Sequence, residues 1–289
     1  MTRHQSIRPW TLTVLLACAL SCNAETVIPL KFAFGNPYTD GYIGDRKVEL
    51  LVDLGGAGFL FLDQELVKTL RIATTKSGTS NTNLYGETRE TFLFSLPMIT
   101  IGEIQFNDIP AFTRAEFETS HTEDQDWWPQ FDGTIGREFL KQYIVVFDYL
   151  GSTLTLSDYD DAIVHGCGDK AFPLLEHEEG IIVSGAKVDH GNFDVIWDTG
   201  ATYSFIKSST AAARSLPLGS KDEEYYSYIS RKFIIGGVDF GPLEFVALPV
   251  VQPERVDLII GHNFFNGHVI CVDAKNSVMS VEKSEIPHD

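Results

Sequence analysis

Residues 196–201 read Ile-Trp-Asp-Thr-Gly-Ala, so Asp198 stands at the end of an apolar run with a glycine two residues later. Residues 51–56, Leu-Val-Asp-Leu-Gly-Gly, repeat this arrangement around Asp53. An acid at a strand end, exposed in a turn, is poorly placed for packing, whereas a neighbouring glycine lets backbone N–H groups approach its carboxylate. The two stretches therefore predict a pair of aspartates that meet across a pseudo-two-fold axis.

The similarity between the two parts of the chain extends beyond these turns. An apolar segment ending in glycine occurs at residues 132–136 and again at residues 257–261, and a further aspartate lies sixteen residues after the first position of each. Upstream, Ile101-Gly102 is echoed by Ile235-Gly236. Landmarks that recur in one order indicate a gene duplication that produced two similar lobes.

The predicted first lobe covers residues 25–158 and the second covers residues 159–289, with the polar stretch 157–170 as the connection. Short apolar runs between clusters of Gly, Pro, Asn and Asp are typical of an all-β protein. Few helices are expected, with residues 64–70 and 208–213 as candidates. The runs expected to form strands include residues 48–52, 92–96, 143–147, 181–183 and 258–260.

Composition excludes several classes of function. The chain has 22 basic and 40 acidic residues and a net charge of −18, so binding to nucleic acid or to anionic lipid headgroups is not expected. The eight histidines show neither His-Glu-x-x-His spacing nor a cluster of ligands, so we predict no metal and no cofactor. Gly-x-Ser-x-Gly is absent, which leaves a serine hydrolase without support.

The N-terminus, residues 1–24, has the pattern of an export signal peptide. Residues 11–20 are apolar but too short to cross a bilayer, and a small-residue cleavage site precedes Glu25. The residues leading to Cys18 and to Cys22 also resemble a bacterial lipobox, so a lipoprotein tethered to a membrane is the alternative to simple cleavage. Either way, we expect a periplasmic, cell-envelope or secreted protein.

Two cysteines, Cys167 and Cys271, remain after the signal. In an oxidising compartment they could form a disulfide. Two buried thiols are equally compatible with the sequence.

The predicted pair of aspartates has a defined chemistry. Two carboxyls about 3 Å apart cannot both ionise comfortably, so they share one proton. The ionised carboxylate can take a proton from a bound water, and the protonated carboxyl can donate to the carbonyl under attack. Because the pair titrates as a unit, the sequence assigns no separate roles to the two acids.

Asp198-Thr199-Gly200-Ala201, with the hydrophobic-hydrophobic-Gly element at residues 257–261, resembles the aspartic proteases, both retroviral-type and two-lobed pepsin-like. The resemblance covers roughly residues 26–283 and implies two acid-protease-type β lobes, each a closed β-barrel-like unit, with a cleft between them. It implies an aspartic endopeptidase that acts as a monomer on a peptide or protein substrate. The implied catalytic residues are Asp53 and Asp198, with the turns supported by Gly55, Thr199 and Gly200.

Leu54 departs from the family pattern, which places Thr or Ser there. The family hydroxyl at this position forms half of a hydrogen-bond link between the two active-site turns, and Thr199 can supply only the other half. A peptide-binding protein of the cell envelope with weakened or lost catalysis is therefore an alternative to an active endopeptidase. A third reading, a structural scaffold, predicts that Asp53 and Asp198 lie far apart.

The resemblance also implies a β-hairpin flap that covers the cleft. Residues 83–86 lie where that hairpin is expected, which makes Tyr85 and Gly86 candidates for substrate contact. An ordinary tyrosine in a turn is the alternative. The polar residues 77–83 before it fit a moving lid.

Overall fold

The computed structural model describes residues 25–82, 88–114, 131–159, 166–177, 180–213, 221–222, 225–249 and 256–283. The predicted signal segment, residues 1–24, with Cys18 and Cys22, lies outside them.

The first half of the chain forms eleven strands and two short helices among its described residues. They are β1 (Thr26–Pro29), β2 (Lys31–Ala33), β3 (Asn36–Ile43), β4 (Arg46–Val52), β5 (Leu60–Asp63), α1 (Gln64–Thr69), β6 (Thr75–Thr82), β7 (Thr88–Ile101), β8 (Ile104–Arg114), β9 (Gly133–Ile135), α2 (Arg137–Leu140), β10 (Tyr143–Asp148) and β11 (Thr153–Asp158).

The second half forms thirteen strands and two short helices among its described residues. They are β12 (Phe172–Pro173), β13 (Leu175–His177), β14 (Gly180–Val188), β15 (Gly191–Trp197), β16 (Ser204–Lys207), α3 (Ser208–Ala213), β17 (Lys221–Asp222), β18 (Tyr225–Ile229), β19 (Phe233–Ile235), β20 (Val238–Asp239), β21 (Glu244–Leu248), β22 (Leu258–Ile260), α4 (His262–Phe265), β23 (His268–Asp273) and β24 (Val278–Lys283).

The all-β prediction is confirmed. Every run expected as a strand lies in one, and both expected helices form as α1 and α3. Local sequence explains these elements: β4 alternates so that Val48, Leu50 and Val52 point into the core, and the Asp63 carboxylate caps α1 by accepting from the backbone N–H groups of its first turn.

The two halves repeat the same strand pairings. One sheet has the order β3-β4-β9-β5-β8-β7-β6, and the other has β14-β15-β22-β16-β21-β18-β17 in the corresponding places. The strand directions match as well. β9 is parallel to β4 and antiparallel to β5, and β22 is likewise parallel to β15 and antiparallel to β16. The duplication read from the sequence therefore extends to topology.

A six-stranded sheet joins the two halves in the order β1-β11-β10-β23-β24-β12. Its central pair is antiparallel, with Val146 opposite Cys271, two residues that the sequence repeat makes equivalent. Their neighbours, Val145 opposite Val272 and Phe147 opposite Ile270, follow the same symmetry. The local two-fold axis therefore passes between β10 and β23.

Cys271 is disulfide-bonded to Cys167, across 104 residues of sequence. The bond fixes the segment between the halves to the central sheet. Of the two alternatives left by the sequence, the structure contains the disulfide. Among the described residues no helix has both the length and the apolar character needed to cross a membrane.

Candidate active site

Each aspartate follows a buried strand whose neighbour holds the turn in place. The Asp53 N–H donates to the Ile135 carbonyl at 2.9 Å, and the Asp198 N–H donates to the Ile260 carbonyl at 3.1 Å. These acceptors are the last residues of β9 and β22, the apolar strands that precede the repeated glycines. Each turn therefore begins with an equivalent backbone hydrogen bond to the neighbouring strand.

The repeated glycines Gly136 and Gly261 pack directly against the turns. A Cβ at Gly136 would lie 2.4 Å from the Gly58 carbonyl oxygen, and one at Gly261 would lie 2.3 Å from the Tyr203 carbonyl oxygen. Any side chain here would push the turn away from its strand, which explains why glycine ends both apolar segments.

The structure brings the two carboxyls together, close enough for the charge of each to act on the other. Each carboxyl also packs against the glycine of the opposite turn. A Cβ added to Gly55 would lie 2.5 Å from the carboxyl carbon of Asp198, and a Cβ added to Gly200 would lie 2.8 Å from the carboxyl carbon of Asp53. Only glycine permits this approach from both sides. The contact excludes the scaffold reading, which required the two acids to be far apart.

Backbone donors hold the carboxyls in orientation. Gly55 N–H donates to Asp53 Oδ1 at 2.8 Å, and Gly200 N–H donates to Asp198 Oδ1 at 2.9 Å. The second glycine of the first turn, Gly56, also donates to Asp53, as does Gly200 from the opposite half. These donors favour the charged form of a carboxyl that the surrounding protein would otherwise keep neutral.

The electrostatics of the two aspartates differ. Burial raises the pKa of Asp53, and its hydrogen bonds with Asp198 and with backbone N–H groups act in the opposite direction. Burial raises the pKa of Asp198 well above its usual range, and the neighbouring charge of Asp53 raises it further. Part of each residue stays accessible to solvent, although its carboxyl is surrounded by protein. Burial and the proximity of the two charges therefore favour a single proton held by the pair.

Thr199 links the two turns from the second half. Its Oγ1 accepts from the Leu54 N–H at 2.9 Å and donates to the Val52 carbonyl at 2.8 Å, and both bonds are buried. Leu54 is 1 % exposed and packs in the main hydrophobic core. Its side chain has no hydroxyl that could bond to the second turn. Half of the symmetric link is thus present, and the other half is replaced by apolar packing.

An aromatic cluster lies beside the dyad. Tyr149 packs against Phe32, His262 and Phe265, with ring centroids 5.3–5.8 Å apart. Burial raises the pKa of Tyr149 well above its usual range, and the charges of Asp198 and Asp53 add to the effect. The tyrosine therefore stays neutral and contributes a low-dielectric wall to the site.

The residue after each repeated glycine is basic in both halves, a feature not used in the sequence reading. The backbone N–H of Arg137 donates to Gly56, and that of His262 donates to Ala201, both at 2.8 Å. Burial lowers the pKa of each, but the carboxylates around Arg137, including Asp53, favour its charged form. The repeat itself could have drawn attention to this pair, because the two residues occupy equivalent positions.

The structure describes the two strands of the predicted flap hairpin but not its tip. β6 and β7 form the hairpin expected over the cleft, and residues 77–82 of the predicted lid belong to β6. Near its base the hydroxyl of Ser77 lies 2.7 Å from that of Thr91. Tyr85 and Gly86 lie outside the described residues.

The other repeated acids serve turns. Asp148 accepts from Gly151 N–H at 2.7 Å, and Asp273 accepts from Asn276 N–H at 3.0 Å. Across the described ranges, no group of three or more His, Cys, Asp or Glu side chains is arranged to hold a metal ion.

Comparison with known proteins agrees with this geometry. A family model described as "Aspartyl protease" matches residues 39–139, which include Asp53. The crystal structure of an aspartic proteinase from Irpex lacteus matches with a TM-score of 0.57, over 92% of this chain and 99% of that one, at 13% sequence identity. At this identity the likeness establishes the fold alone. No curated protein matches the sequence.

The fold and the paired turns define a two-lobed β protein of the aspartic-proteinase architecture. The family model adds that residues 39–139, which include the first aspartate turn, are similar to aspartyl proteases.

Proposed function

We propose that the protein is an aspartic endopeptidase. One observation carries the proposal: two carboxyls from equivalent turns lie together, and each packs against the glycine of the opposite turn. A structural role alone does not call for two buried acids in contact, because their desolvation is unfavourable unless one of them keeps a proton.

In the proposed reaction, a water lies between the carboxyls and the scissile peptide carbonyl. Asp53 removes a proton from the water as its oxygen bonds to the carbonyl carbon, and Asp198 gives its proton to the carbonyl oxygen. The resulting tetrahedral diol collapses as the C–N bond breaks: one of its hydroxyls gives its proton to Asp198, and the leaving nitrogen takes the proton that Asp53 removed from the water. The two carboxyls return to sharing one proton, and no metal or cofactor enters the balance.

We propose a peptide or protein as the substrate, on the basis of the fold that the chain shares with an aspartic proteinase. An extended peptide can hydrogen-bond through its main chain as an added strand between the lobes. Because one chain supplies both halves of the dyad, a monomer is sufficient. The N-terminal pattern supports export, with either a free N-terminus at Glu25 or a lipid on Cys18 or Cys22.

Cleavage of a mixed peptide library by residues 25–289, over about pH 3 to 8, tests the proposal. We expect cleavage that a transition-state mimic of aspartic proteases inhibits, and a loss of at least about 1000-fold in Asp53→Asn and in Asp198→Asn. Asp148→Asn is the matched control, because this repeated acid only caps a turn. Unchanged cleavage by Asp198→Asn would disprove the mechanism.

A peptide-binding protein without turnover is the second candidate, and Leu54 is the observation that favours it. Losing one half of the link between the turns can displace a carboxyl, and a misplacement of about 1 Å can reduce catalysis roughly 100-fold. This candidate predicts that the wild type binds peptides without cleaving them and that Leu54→Thr creates cleavage. An active wild type would reject it.

A further inference from the structure

The two active-site turns need support from the opposite lobe, and Leu54 removes the hydroxyl that would supply it to the second turn. Thr199, from the second lobe, holds the first turn through Leu54 N–H and the Val52 carbonyl. The second turn carries Asp198 and receives no such hydroxyl from Leu54. A group of the first lobe that supports the second turn should therefore lie beside Gly200.

Asn36, the first residue of β3, provides such a group. Its Nδ2 donates to the Gly200 carbonyl at 3.0 Å, and its Oδ1 accepts from the Thr202 hydroxyl at 3.1 Å. Asn36 is 1 % exposed. Both bonds cross from the first lobe to the turn of Asp198, one residue and three residues beyond Thr199. The amide side chain thus uses its donor and its acceptor on the same turn.

At the equivalent position the second lobe has a glycine, Gly180. In the first lobe β2 pairs with β3 so that Ala33 lies opposite Asn36. In the second lobe β13 pairs with β14 in the same register, and the corresponding pair is His177 opposite Gly180. Glycine at this position cannot reach the first turn. The side-chain support is therefore reciprocal but not symmetric: Thr199 acts in one direction and Asn36 in the other.

The hairpin that carries Asn36 is seated on the second lobe. Gly35 has a φ of +88°, and a Cβ there would lie 2.2 Å from the imidazole of His262, the residue that follows Gly261. A glycine is required both by the positive φ and by this approach. Because Gly35 packs against His262 in α4, the adjoining Asn36 lies within reach of the second turn.

We propose that Asn36 is a positioning residue that fixes the turn of Asp198 from the first lobe, in place of the hydroxyl that Leu54 lacks. The proposal rests on the proposed function for its effect on turnover, but not for its effect on the turn itself. Removing Asn36 frees the Gly200 carbonyl and the Thr202 hydroxyl from their partner, so the turn that orients Asp198 gains motion.

Amide hydrogen exchange measured by NMR tests the structural half of this proposal. In Asn36→Ala, exchange at Gly200 and Ala201 should become at least about 10-fold faster, while exchange at Leu54 and Gly55 changes little. Thr39→Val is the matched control, since Thr39 is a buried residue of the same strand whose hydroxyl bonds to Pro29 within the first lobe. It should lower stability without loosening the second turn selectively.

Kinetics test the functional half. Asn36→Ala should lower kcat about 10- to 100-fold with KM changed by less than about 3-fold, because the peptide-binding surface is intact while the proton donor is misplaced. Adding Leu54→Thr should recover part of the loss, since its hydroxyl can reach Thr199 N–H and the Trp197 carbonyl as Thr199 reaches their counterparts. A merely destabilised enzyme would not show this rescue.

The outcomes separate the two claims. If the wild type cleaves nothing but the exchange pattern is as expected, the proposed function fails and the role of Asn36 stands. If Asn36→Ala changes both turns equally, or changes neither, the role of Asn36 is wrong. Should Asn36→Ala fail to fold, Thr202→Val removes one of the two bonds while retaining the other, and it must show the same selective increase at Gly200.

Discussion

The turn after β4 and the turn after β15 have the same backbone arrangement but different side-chain supports. Each aspartate N–H bonds to the end of an apolar strand, and each turn rests on a repeated glycine. The first turn is then held by a threonine of the other half and the second by an asparagine. Duplication has preserved the main-chain hydrogen bonds, and the side chains that join the halves have diverged.

The largest effect is expected where the halves are still equivalent. Gly55→Ala and Gly200→Ala each place a methyl group within 3 Å of the opposite carboxyl, at 2.5 and 2.8 Å from its carbon. Both should reduce kcat/KM by at least about 100-fold in a peptide assay. Gly56→Ala is a milder comparison, since its Cβ would meet Asp53 Oδ2 at 2.9 Å but the second turn already has Ala201 at the equivalent position, and its loss should be smaller. A large difference between Gly55→Ala and Gly200→Ala would break the equivalence.

The disulfide is a feature of the second half that the first half lacks at the equivalent position. Cys271 is bonded to Cys167, whereas the equivalent position of the first half is Val146. Replacing both cysteines by serine should lower the free energy of unfolding by about 2–4 kcal/mol, since the bond closes a long loop. Urea unfolding with and without a reductant measures this. The double variant should no longer respond to reductant, and an equal response in both proteins would contradict the prediction.

Thr199→Val should lower the free energy of unfolding less than loss of the disulfide does, and it should loosen the first turn only. It leaves Leu54 N–H and the Val52 carbonyl buried without their partner, at a loss of about 1–3 kcal/mol. Faster amide exchange at Leu54, with Gly200 less affected, would show that this threonine supports the first turn. Thr113→Val is a suitable comparison, because it removes one buried bond, to Phe92 N–H, away from the dyad.

The smallest effect is a pH-dependent gain in stability. The raised pKa of Asp198 means that the folded state holds its proton more tightly than the unfolded chain does. The corresponding stability is present below the unfolded pKa, about 3.9, and is lost as pH rises through the folded value. Asp198→Asn should therefore melt a few degrees above the wild type near pH 7, where roughly 2–4 °C corresponds to 1 kcal/mol.

That difference should shrink as pH falls towards about 3.9, because the wild-type carboxyl is then protonated in both states. Asp53→Asn should gain less, since backbone donors on three glycines offset the burial of Asp53. Melting curves at several pH values would reveal the order of the two gains. A larger gain in Asp53→Asn would reverse the assignment of the shared proton.

Sequence predicted the strands around both aspartates because each alternates or runs apolar up to a glycine, and these are local signals. It also predicted that Asp53 and Asp198 meet, because the repeat implied a two-fold axis. Asn36 was not predicted, since a Gly-Asn-Pro turn carries no sign of what lies across the lobe boundary. The pairing of Cys167 with Cys271 stayed open for the same reason: the connecting segment has no repeat partner.

The central sheet has a consequence for the separated halves. Residues 25–158 expressed alone would leave the edge of β10 uncovered, along the strand that β23 occupies in the whole chain. The register is centred on Val146, so a second copy of the same fragment could add its own β10 there, with Val146 opposite Val146. Edge strands of this kind template pairing between chains. In the whole chain β23 covers this edge permanently, so the second half protects a strand that would otherwise be open to pairing with another chain.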